Sequence, residues 1–252
     1  MTREEAIFEY VLRRADDTLI LGHRLSEWCG HGPILEEDIA LTNLALDLIG
    51  QATEYYRYAA KVENKGRNED DLAFLRIERE YKNLLLVEQP NGDFGKTIVR
   101  QFFFDHFHRL LLEGLMNSKD EQIAAIASKA VKEVRYHLKH SSEWVIRLGD
   151  GTEESHNRVQ ESVNDLFRFI DELFYQDEVD EILIKEGIAV DTQLFKEAYH
   201  NNVKAVLDEA TLSLPEAKWQ LDGGRKGVHS EHLGYLLAEL QYMQRTYPGM
   251  EW

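Results

Sequence analysis

Only four prolines occur in the 252 residues, at 33, 90, 215 and 248, so nothing between 91 and 214 carries the residue that most firmly breaks a helix. Across that stretch, and before it, apolar side chains recur at helical rather than alternating spacing, in windows rich in Leu, Ala, Glu, Lys and Arg. No convincing alternating run points to a strand. The expected class is all-α.

The spacing predicts a first helix over residues 3 to 28, with Phe8, Leu12, Ala15 and Leu19 on one stripe, stopped at Cys29-Gly30-His31-Gly32. Pro33 and the acids Glu36, Glu37 and Asp38 then suit the start of a second helix reaching Glu63. A short helix is expected over 70 to 81 and an irregular segment over 83 to 94, where Pro90-Asn91-Gly92 is a strong turn signal. Longer helices follow at about 95 to 117 and 120 to 148, then at 153 to 175, 178 to 186, 192 to 211 and 230 to 246, with a loop over 213 to 229. Four long helices on short connections favour an antiparallel four-helix bundle with additional C-terminal helices packed outside it. We expect a single domain over 1 to 252, its core bundle at about 3 to 148.

With 46 Asp plus Glu against 29 Lys plus Arg, the formal charge is −17, which repels nucleic-acid backbones and anionic membranes. The 43% apolar content separates the chain from disordered acidic tails. No window approaches the roughly 18 apolar residues of a spanning helix, and MTREEAIFEY lacks the order of a secretory signal, so a cytoplasmic location is expected. The lone Cys29 cannot form an internal disulfide, and beside Trp28 it reads as a buried packing thiol.

The chemistry-bearing residues lie where a bundle would be dry. Asp47 is the only polar residue in LALDLIG (44 to 50) and is expected to be buried, hence paired, metal-bound or protonated. Asp105 and His108 share a face of the third long helix, Glu133 and His137 a face of the fourth, and Asp16 and Asp17 fall midway along the first. Di-iron bundles take a Glu from each of two helices and Glu-x-x-His from each of the other two. Here Gly50 stands three after Asp47 and Tyr136 three after Glu133, so those pairs are incomplete, and the first and third helices would supply only Asp. The intact Glu197 to His200 spacing looks surface-facing. Asp47, Asp105, His108, Glu133 and His137 are therefore expected to form a metal-free network; the alternative is a degenerate di-iron-like cluster in an oxygenase.

Two further segments stand out. The glycine-rich loop around Arg225, Lys226 and His229 could take an anion or a partner, or simply fix the last helix, while His229 with His232 lacks a third metal ligand. Tyr55, Tyr56 and Tyr58 suit either core packing or a contact between subunits.

The stretches SEWCGHGP (26 to 33), LALDLIGQA (44 to 52), NLLLVEQPNGDF (83 to 94), KEVRYHLKHS (132 to 141), KEGIAVD (185 to 191) and GGRKGVHSEHLGYLLAELQYMQRTYPG (223 to 249) closely resemble the C subunits of bacterial ring-1,2-phenylacetyl-CoA epoxidases. The resemblance implies a ferritin-like fold and a structural, non-catalytic subunit of a multicomponent monooxygenase of aerobic phenylacetate degradation. It further implies a catalytic di-iron A subunit as partner, an NADPH-linked reductase elsewhere in the complex, self-association within the complex as an option, and no cofactor in this chain. The five candidates would then be the remnant of an iron site.

Overall fold

The computed structural model describes residues 1–216 and 219–250, so positions 217 and 218 of the expected 213 to 229 loop lie outside the described residues. The described residues form eleven α-helices and no strand. In chain order these are α1 (Arg3–Ser26), α2 (Leu35–Glu63), α3 (Glu69–Phe74), α4 (Leu85–Glu88), α5 (Phe94–Leu115), α6 (Glu121–Gly149), α7 (Glu153–Leu166), α8 (Glu178–Glu186), α9 (Lys196–Glu209), α10 (Glu231–Leu240) and α11 (Tyr242–Thr246). They sort into two compact units: Met1–Pro90 with the chain from Asp222 onward, and Asn91–Leu221. Among the described residues no helix is long and apolar enough to cross a membrane.

The first unit is built on α1 and α2. Thr2 and Glu5 form a reciprocal capping box that starts α1. The two helices run antiparallel, since Asp16 meets Tyr56 while Gly22 faces Ala45 and Leu48. Gly22 permits that approach: a Cβ there would stand 3.1 Å from Ile49 Cγ1 and 3.2 Å from the Ala45 carbonyl. Every residue of α1 from Tyr10 to Gly22 is buried, which places charged Arg13, Arg14, Asp16 and Asp17 in the interior and obliges each to find partners.

Those partners reshape the neighbouring chain. The helix expected over 70 to 81 stops at Phe74, because Arg76 turns inward and is consumed by Asp16, leaving only a 3-10 turn at Glu78–Glu80. Within the irregular 83 to 94 segment, one buried helical turn, α4, carries Glu88. The helix expected over 230 to 246 breaks at Gln241, whose buried amide donates to the carbonyl of Arg76 (3.0 Å) and the Tyr81 hydroxyl (3.2 Å).

The second unit pairs α5 and α6, again antiparallel, as Phe94 meets Trp144 at one end and Glu113 meets Arg135 at the other. Helix α5 is buried continuously from Thr97 to His108, whereas α6 is amphipathic and capped by Asp120. Helices α7 and α9 pack against both. The helix expected over 153 to 175 ends at Leu166 and continues as two 3-10 turns, and the one expected over 192 to 211 opens as a 3-10 turn capped by Asp191.

Candidate functional site

Three buried carboxylates organise the first unit. Asp16 accepts from the Tyr56 hydroxyl at 2.6 Å, from the Lys82 amide at 2.8 Å, and from both terminal nitrogens of Arg76. The Arg76 guanidinium also donates to the carbonyl of Glu80 and lies 4.2 Å above the ring of Tyr81, a cation–π contact out of water. Burial, then the charge of Asp16, pushes the Tyr56 hydroxyl well above its usual range, so it is a proton donor and not a phenolate.

One residue further on, Asp17 takes a two-pronged bond from Arg225, with Nη1 at 2.9 Å and Nη2 at 2.8 Å, and another from the Leu84 amide at 2.8 Å. Arg225 reaches there from the C-terminal loop and also donates to the carbonyl of Lys82 at 2.7 Å. The loop approaches closely because Gly227, at φ +73°, leaves room for the carbonyl of Arg79, which a Cβ would meet at 2.2 Å.

Glu88, fully enclosed, accepts from the Ser230 amide at 2.6 Å, from Asn83 Nδ2 at 2.8 Å and from His229 Nδ1 at 2.8 Å. Arg24 secures the backbone carbonyl of the same residue through Nε (3.2 Å) and Nη2 (2.9 Å). Asp16, Asp17 and Glu88 thus each meet a cation of this chain, and together they tie α1, α2, residues 76 to 88 and the C-terminal loop into one polar interior.

In the second unit Asp105 is completely enclosed and accepts from Gln101 Nε2 at 2.6 Å and from Ser141 Oγ on α6 at 2.8 Å. Burial raises its carboxyl to about 7, against the opposing pull of His137 and these two donors. His137, on α6, is also enclosed, and His108 is buried with its ring 4.9 Å from Phe104. Glu133 is half-buried. Next to Asp105, His106 is buried with Phe102 and Tyr199 as ring neighbours, and burial lowers it to about 3, so it is a neutral imidazole.

Several expectations change. Asp47 is half-buried rather than enclosed, because the LALDLIG turn also carries Leu46 outward at 62% exposure; the apolar run marks a helix with two apolar faces. Arg225 is sealed onto Asp17, so the basic loop grips a carboxylate of its own chain, and Lys226 is its exposed cation, 3.9 Å from Asp222. Cys29 is exposed, since it lies in the turns beyond the end of α1. Tyr55 and Tyr56 are core residues and Tyr58 is half-buried. Glu197 is exposed and His200 half-buried, packed 6.0 Å from Phe174. Among the described residues, no three His, Cys, Asp or Glu side chains converge as a metal ion would require. Sequence reasoning missed Arg76 and Glu88 altogether; the signal for Arg76 was the adjacent acids Asp16 and Asp17 midway along the first helix, which burial obliges to find cations.

The fold and these networks define an all-α protein whose interior acids are held by its own arginine, histidine, hydroxyl and amide donors. The family described as Phenylacetic acid catabolic protein matches residues 1–252, and this chain belongs to it. It is 52% identical over 243 residues to the C subunit of the 1,2-phenylacetyl-CoA epoxidase of Escherichia coli (strain K12), a match covering 96% of this chain and 98% of that one.

Proposed function

We propose that this chain is a structural, non-catalytic subunit of a phenylacetyl-CoA epoxidase, acting in the cytoplasm to support a catalytic di-iron A subunit, with no iron of its own. The relationship to the C subunit of the E. coli enzyme supports membership of such a complex. The observation that carries the supporting role is the saturation of the three central acids of the first unit: Asp16 receives four protein donors and Asp17 and Glu88 three each. A transition metal would have to displace bonded arginine or histidine cations to reach those oxygens, and replacing a paired cation in a buried site is costly.

Reconstitution tests this. Epoxidation of phenylacetyl-CoA is measured with this chain alone plus reductase, with the A subunit plus reductase, and with all three. The expected pattern is no turnover from this chain and reductase, and full turnover only when the chain and the A subunit are combined. Turnover without the A subunit would replace the proposal by the reading in which the chain is itself a metal-dependent oxygenase.

A further inference from the structure

On α2, Leu35, Ile39, Asn43, Leu46 and Gly50 recur at steps of three and four and form one outward stripe that Arg57 closes two turns later. Leu35 is 72% exposed, Leu46 62% and Ile39 52%. Between Glu36 and Arg57 no charged residue stands on that stripe, although charged residues make up 30% of the chain. The opposite face of α2 is already used, with Leu41, Leu44, Leu48 and Ala52 in the core. Large contiguous exposed apolar faces mark interaction surfaces.

Gly50 is a second, independent sign. Glycine is the poorest helix former after proline, and a Cβ at this position would meet nothing within 4 Å, so packing inside this chain gives no reason for it. Close approach of another backbone does.

Charge selects the occupant. Glu36, Asp47 and Glu54 lie eleven and seven residues apart, whole helical turns, and so line a single edge of the stripe. The first cation along α2, Arg57, is bound to Glu69 at 2.7 Å. A second copy would bring acid against acid between chains of charge −17. We propose that the outward face of α2 receives the partner subunit, through a helix face apolar at its centre and carrying Lys or Arg opposite Glu36, Asp47 and Glu54. This rests on the reading of the chain as a subunit, and takes the A subunit as occupant.

Binding of purified full-length chain to the A subunit by calorimetry tests it, with the thermal midpoint and sedimentation of each variant as controls. Leu46→Glu and Ile39→Glu are expected to weaken the dissociation constant roughly 30-fold or more while leaving the midpoint of the free chain unchanged. Gly50→Leu separates docking from folding, because it is expected to raise that midpoint and still weaken binding. Raised salt is expected to weaken the wild-type complex. Wild-type binding by all three variants would overturn the proposal and leave the subunit reading intact. Failure of the wild-type chain to bind the A subunit would overturn both, and loss of a homodimer in Leu46→Glu with unchanged A-subunit affinity would assign the face to a second copy instead.

Discussion

His229 offers both ring nitrogens to oxygen: Nδ1 lies 2.8 Å from Glu88 Oε2 and Nε2 lies 2.9 Å from the carbonyl of Tyr81. Two acceptors require two donors, so the ring is an imidazolium bridging the C-terminal loop to α4. Burial lowers its affinity for the proton, but the bond to Glu88, that carboxylate's charge and the Tyr81 carbonyl more than offset it, and the net shift is upward.

A histidine whose folded value is raised contributes fully below the unfolded value of about 6.5 and loses that contribution as pH climbs through the folded value. The thermal midpoint is therefore expected to fall on going from pH 6 towards pH 9, and His229→Gln to start lower and flatten the fall. An unaltered slope in the variant would remove the charged bridge.

Asp105 acts in the adjoining window. Its folded carboxyl titrates near 7, above the unfolded value of 3.8, so the folded state holds the extra proton and stability declines as pH rises between those two values, by up to roughly 4 kcal/mol. Asp105→Asn keeps the shape and stays neutral. It is expected to be more stable than wild type at pH 8 in urea unfolding and to show no decline between pH 5 and 7; equal stability at pH 8 would place the proton elsewhere.

The Asp17–Arg225 pair predicts an asymmetric response. Arg225→Ala strands an enclosed carboxylate and is expected to cost about 3–5 kcal/mol, with Arg225→Lys restoring little because an ammonium cannot reproduce the two-pronged bond. Removing both charges, as in Asp17→Leu/Arg225→Met, is expected to recover much of the loss. Denaturant midpoints of the four proteins test this, and a loss under about 0.5 kcal/mol in Arg225→Ala would show the pair to be dispensable.

Two glycines should respond with opposite signs. Gly227→Ala forces a Cβ into the carbonyl of Arg79 at a positive φ and is expected to destabilise by about 2 kcal/mol or more. Gly50→Ala, on an open helix face, is expected to stabilise by up to about 1 kcal/mol. Thermal unfolding of the two variants side by side measures both, and a shift of the same sign in each would contradict the packing described.

The long helices were legible because their information is local. Apolar spacing and the missing prolines marked α1, α2, α5 and α6 to within a few residues, and the Asp120 and Asn64 ends agree with cap chemistry. What was not legible is what α1 buries. The expected helix over 70 to 81 ignored a demand made sixty residues away, where Asp16 needs Arg76, and no window of sequence contains both. Arg225 looked like a free cation for the same reason, its acid lying 208 residues earlier. Asp47 misled differently: an unbroken apolar turn signals burial only if a helix has one apolar face, and α2 has two.

The absence of resident iron is the claim on which the supporting role turns. Elemental analysis of the chain purified alone, from cells grown with ample iron, measures it most directly, beside the A subunit prepared in the same way. The expected result is no stoichiometric iron in this chain and iron in the A subunit; one or two iron atoms bound per copy of this chain would contradict it.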